Sequence, residues 1–242
     1  MNKIFLIVAL LLFSYAQEED SNITRYYDGS ECECDYLSIV YFESGALKME
    51  TPFKDGKKNG IANVYYENGS IFSQTPFSGG EINGTLNLYF ESGELWWETP
   101  YINGVKNGLD RQFYESGAVW VETAFVDGAI DGFEITYDSD GNIQTKTQYK
   151  LGKKDGIETR YYKSGIIMKE TPFVDGKIAG EVKEYHKSGA LWKAKPYSNG
   201  SPDGVEREYY ESGELRIERT FREGRQEGEA KEYFRSGELK TR

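Results

Sequence analysis

The chain has 242 residues, with 29 Lys/Arg against 40 Asp/Glu and a net charge of −11. That balance excludes a protein that grips phosphate backbones, because such contacts need an excess of Lys and Arg. One histidine and two cysteines exclude a His-rich metal site and a multi-bridge disulfide framework, while 27 glycines and 19 tyrosines favour strands and turns over helices.

Residues 1–16 carry Lys3, the apolar run Ile4 to Phe13, and then Ser14-Tyr15-Ala16. This is the three-part pattern of a secretory signal peptide cleaved after Ala16, and the run is shorter than the roughly 20 apolar residues a membrane span needs. The expected location is therefore secreted or periplasmic. Residues 17–36 form a lead segment holding Cys32 and Cys34. Outside the cytoplasm such a pair suggests a disulfide, either a strained closure within the chain or a bridge to another chain. The same segment is expected to cap the first rung of the repeat array, since an open sheet end invites further pairing.

Residues 37–242 read as about eight 24-residue units. Three glycine series, starting at Gly45, Gly56 and Gly60, each recur every 24 residues and hold 25 of the 27 glycines, so every unit makes the same two turns. The first turn, as in Glu67-Asn68-Gly69, predicts a type I turn with Gly in the left-handed region. The second, as in Asp55-Gly56-Lys57-Lys58-Asn59-Gly60, reads as a wider loop. Two strands per unit give an all-β, elongated antiparallel meander of roughly seventeen strands. Counted from the first-turn Gly, a Tyr or Phe stands at −4 (Tyr65), an aliphatic at +2 (Ile71) and an aromatic at +8 (Phe77) in unit after unit. Pairing of the Tyr with the aliphatic would place all three on one face as an apolar ladder. The prolines at +7 (Pro52, Pro76, Pro100, Pro172, Pro196) lack the N–H a ladder uses and predict a strand end or bulge in their units.

Asp-Gly-x-x-Asn-Gly, then Tyr-Tyr/Phe-Glu-Asn/Ser-Gly, then Leu and Pro-Phe, resembles the MORN repeat. More narrowly it resembles the shorter bacterial MORN variant of the YwqK-type antitoxin family, over roughly residues 37 to 242. The resemblance implies stacked hairpins that act as a scaffold or binding surface, without catalysis and without a cofactor.

Departures from the repeat carry the functional expectations. Residues 17–130 hold 7 Lys/Arg and 19 Asp/Glu, whereas residues 131–242 hold 21 of each. In the acidic half Glu43, Glu67, Glu91 and Glu115 occupy the same hairpin-tip position, which reads as a solvated edge or as a docking strip for a basic protein. The same acids oppose binding to anionic membrane lipids. Trp96 and Trp120, with the neighbouring Tyr114, are the aromatic candidates for a protein or glycan partner; cross-strand packing is the competing reading. The unit around Gly141 is degraded, and Asp138-Ser139-Asp140-Gly141-Asn142 looks like a calcium-loop fragment without its downstream Glu, so a plain turn is expected. His186 replaces an aromatic and has no nucleophile or acid beside it at equivalent positions, so no enzyme activity and no metal site are predicted. The leading expectation is a protein-binding module similar to antitoxin or immunity proteins. The alternative is an envelope scaffold or glycan-binding protein that uses tryptophan.

Overall fold

A computed structural model describes residues 23–27 and 35–241. The signal segment, its cleavage point, and Cys32 and Cys34 lie outside the described residues. All described elements are strands, and every described pairing is antiparallel, between strands that are consecutive or separated only by one two-residue strand. The chain divides into two compact units. The first comprises residues up to Glu81 together with Glu91–Gly93; the second comprises Ile82–Phe90 and Glu94 onward.

One repeat of the first unit shows how the sequence makes the pattern. The strand Gly60–Tyr65 runs into the tip Tyr66-Glu67-Asn68-Gly69, and the strand Ile71–Ser78 returns. The Gly69 N–H donates to Tyr66 O at 2.9 Å and the Tyr66 N–H to Ser70 O at 2.8 Å, which closes the expected turn. Gly69 has φ +88°, a conformation that a side chain opposes. The same two bonds recur at the tips that begin at Phe42, Tyr114, Asp138, Tyr162, His186, Tyr210 and Phe234.

The second turn is not a wide loop. Asp55 (φ 51°) and Gly56 (φ 73°) both have positive φ, and Lys54 pairs directly with Lys57. This is a two-residue hairpin of type I′, which suits the right-handed twist of its strands. It opens a short strand, Lys57–Lys58, so a repeat holds three strand segments rather than two. Successive hairpins are linked by the Gly N–H, as in Gly80 to Lys58 O at 2.9 Å or Gly128 to Lys106 O at 2.9 Å. Leu151 occupies the Asp position of this turn with φ 49° and is 72% exposed.

Proline acts on its neighbour, not on its own strand. Leu47–Lys54 runs straight through Pro52; the break falls in the next strand, between Lys58 and Gly60. Pro52 accepts from the Asn59 N–H at 2.9 Å but has no N–H to return. Where Ala124, Gln148 or Thr220 stands at +7, the following strand is continuous over nine residues: Ala129–Tyr137, Lys153–Tyr161 and Arg225–Tyr233. In the proline repeats the ring also leaves no room for a side chain at the third-series glycine. A Cβ on Gly60 would stand 2.9 Å from Pro52 Cγ, and one on Gly108 2.9 Å from Pro100 Cγ.

The predicted apolar ladder is corrected. Tyr65 does pair with Ile71, but the register shifts between Val64 and Tyr65, because Phe72 is the extra residue of a bulge. Strand alternation then places Tyr65 opposite to Val64, and its hydroxyl donates to Glu50 Oε1 at 2.7 Å on the polar face. The residues at +2 and +8 remain half-buried at best. The buried row instead joins −7 to +6 across each hairpin: Ala62 with Thr75, Leu86 with Thr99, Asp110 with Thr123, Glu158 with Thr171. The apolar core is small. It consists of Val40 and Ala62 in the first unit and Leu86, Leu88, Trp97, Val182 and Ala194 in the second.

Candidate binding surface

Glu43, Glu67, Glu91 and Glu115 are all exposed, each on the outer side of its tip turn. In the first unit Asn68 Nδ2 donates to Glu91 Oε1 at 3.1 Å, and Ser70 Oγ donates to Glu91 O at 3.1 Å, which ties one tip to the next. Two strand spacings of roughly 4.8 Å separate equivalent positions of adjacent repeats, so the carboxylates of Glu43, Glu67 and Glu91 in the first unit recur about every 10 Å.

Trp96 and Trp120 are half-buried, and each packs against the ring at −3 of its own tip. Trp120 lies 6.1 Å from Tyr114, and Trp96 lies 5.7 Å from Phe90 and 6.5 Å from Trp97. The structure therefore brings Trp120 and Tyr114 together, while Trp96 belongs to a separate cluster. Tyr66 with Phe72 and His186 with Trp192 repeat the same contact, at 5.3 and 6.2 Å. Tyr114 has a further use: its hydroxyl donates to Tyr137 O of the next repeat at 2.9 Å, as Tyr162 does to Tyr185 O at 2.7 Å and Tyr210 to Tyr233 O at 2.9 Å. His186 fills the equivalent slot, and its Nε2 is buried without a partner. Trp192 is 38% exposed.

Two side-chain networks escaped the reading of the sequence. On the buried face Asp110 accepts from Trp97 Nε1 at 2.8 Å and from Thr99 Oγ1 at 2.7 Å, with Lys106 Nζ at 3.5 Å. Glu158 sits there between Lys154 and Arg160, and Glu206 is met by Lys195 at 2.9 Å, Lys193 at 3.3 Å and Arg219 at 2.7 Å. Burial pushes both glutamates up, but the cations around them outweigh it and hold their pKa values below the usual carboxylate range. Acids at −7, where other repeats have Ala62, Leu86 and Val182, were the available signal.

On the polar face Arg111 bridges Glu98 at 2.7 Å and Glu122 at 2.9 Å. Tyr137 donates to Glu122 at 2.9 Å and Tyr185 to Glu170 at 2.6 Å. Burial, reinforced by the carboxylate each one meets, pushes the Tyr65 and Tyr185 phenols up to about 12. These arrangements bind the sheet to itself. Asp138 is likewise occupied by its own turn, accepting from the Asp140 and Asn142 N–H groups at 3.0 and 2.9 Å. Among the described residues no cluster of three or more His, Cys, Asp or Glu is placed to hold a metal ion.

A comparison with protein families finds the MORN repeat variant at residues 58–78, 154–175, 202–223 and 226–242. Four of the repeats are thus of MORN type. The geometry agrees, because each of the first three matched segments contains one tip hairpin and ends near the aromatic at +8. Trp96, Trp97, Asp110, Tyr114 and Trp120 lie between the first and second matched segments. A comparison with curated proteins finds no match.

Proposed function

We propose that this MORN-type repeat protein is a non-catalytic binding module that works outside the cytoplasm and takes a basic protein as its partner. Its role would be that of an antitoxin-like or immunity-like inhibitor, covering the partner's active surface. The observation that carries this reading is the set of exposed carboxylates Glu43, Glu67, Glu91 and Glu115, repeated at one turn position in the acid-rich half. Carboxylates recurring about every 10 Å, as Glu43, Glu67 and Glu91 do within the first unit, steer a polycationic surface and raise its association rate. Trp120 with Tyr114 adds an aromatic patch beside the Glu115 tip.

The test is capture from an envelope extract with the chain from Gln17 onward as bait, at low and high salt. One stoichiometric basic polypeptide, released by salt, is the expected result. Capture of envelope glycan alone, or of partners held independently of salt, contradicts the reading and favours the scaffold.

A further inference from the structure

The polar face of the second unit carries a line of partly exposed apolar side chains, of which Phe133 has the Lys146 ammonium 4.2 Å from its ring centroid. Leu109, Phe133 and Ile157 stand at −8 in three consecutive repeats and are 36%, 42% and 50% exposed. Their in-register partners across each hairpin are Ala124, Gln148 and Pro172. Together they make one row over neighbouring strands, with Pro100 before it and Glu181 after it.

Beside this row, two residues nearer the tips, runs a second row on the same face. In strand order it reads Glu98, Arg111, Glu122 and Ile135, then Lys146, Thr159, Glu170 and Lys183. Read backwards against itself, the second row is complementary. Glu98 meets Lys183, Arg111 meets Glu170, Glu122 meets Thr159, and Ile135 meets Lys146. The apolar row reversed sets Leu109 against Pro172, Ala124 against Ile157 and Phe133 against Gln148. No like charges meet in either row.

We propose that this face docks a second copy of the chain. The two copies are related by a two-fold axis parallel to the strands, passing between Ala129–Tyr137 and Ile143–Lys150. Only such an axis reverses strand order while keeping each row opposite itself, as an isologous interface requires. Arg111 can serve both copies, since a guanidinium has five N–H donors and Glu98 and Glu122 engage only part of them. Eight strands at about 4.8 Å by about six residues of strand length cover roughly 700 Å² per copy, close to the ~800 Å² a side of a stable interface.

The oligomeric state tests this. The mature chain under reducing conditions is expected to sediment as a dimer at about 100 µM, and Leu109→Lys with Ile157→Lys to sediment as a monomer that keeps the wild-type circular dichroism spectrum. The orientation is tested with Ala124→Cys and Ile157→Cys in a background carrying Cys32→Ser and Cys34→Ser. Within one copy these positions are three strands, about 14 Å, apart, beyond the reach of a disulfide, whereas across the axis they face each other. Oxidation is expected to give a covalent dimer. A monomeric mature chain, a dimer that survives the double lysine variant, or a cysteine pair that fails to cross-link would each overturn the proposal.

Discussion

The Tyr65 hydroxyl donates to Glu50 Oε1 at 2.7 Å, fifteen residues back in sequence and one strand away in space. Tyr137 with Glu122 and Tyr185 with Glu170 repeat the bond. Burial and these carboxylates hold the Tyr65 and Tyr185 phenols protonated, up to about 12. A pKa raised on folding favours the protonated form, so this stability is fully present below pH 10 and is lost as pH rises from 10 through 12. Ultraviolet titration at alkaline pH is therefore expected to show a late class of tyrosines whose ionisation coincides with loss of structure. Uniform titration near pH 10 with the fold intact would contradict this assignment.

Gly108 and Gly69 separate steric need from conformational need. Gly108 has φ +121° and Pro100 Cγ only 2.9 Å from where its Cβ would stand, whereas Gly69 has φ +88° and open space. Gly69→Ala is expected to cost about 1 kcal/mol, the penalty of a left-handed alanine. Gly108→Ala should cost at least ~2 kcal/mol, because overpacking adds to the backbone strain. Urea unfolding of the two variants checks the order, and Pro100→Ala should recover part of the Gly108→Ala loss.

Asp110 is 3% exposed and accepts from Trp97 and Thr99. Removing the carboxylate takes an acceptor from the Trp97 indole N–H and the Thr99 hydroxyl, and a counter-charge from Lys106, on the buried face. Asp110→Ala should destabilise by about 2–4 kcal/mol, and Asp110→Asn by less, since the amide oxygen keeps one acceptor. Chemical denaturation with Trp97 fluorescence as the probe measures both.

His186 occupies the slot where Tyr114, Tyr162 and Tyr210 each hand a hydroxyl proton to a carbonyl of the next repeat. Its buried Nε2 has no partner. His186→Tyr restores the repeat's own donor and should stabilise by about 1 kcal/mol, which is the typical net value of one such bond. A lower unfolding midpoint would show that the imidazole is preferred there.

The sequence made some of this legible and hid the rest for identifiable reasons. The tip turn was readable because a Gly in the left-handed region marks it in every unit. The second hairpin was misread because its first residue, such as Asp55, Asn103 or Leu151, takes positive φ without being glycine. The face of Tyr65 was misassigned because one extra residue, Phe72, breaks the alternation that links pairing to facing. The tip glutamates were placed correctly as exposed, since a turn position fixes exposure locally. The networks around Asp110 and Glu206 were not visible, because they join residues 4 to 13 positions apart through a register that only the folded sheet defines.

The central claim is recognition of a basic protein through the hairpin tips. The most direct measurement compares capture by the wild-type chain from Gln17 onward with capture by the variant Glu43→Gln, Glu67→Gln, Glu91→Gln and Glu115→Gln, side by side from one envelope extract at low salt. All four side chains are exposed, so the fold should be kept, as circular dichroism can confirm. The account predicts a basic polypeptide on the wild type that is lost or at least tenfold reduced on the variant. Equal capture by both chains would contradict it.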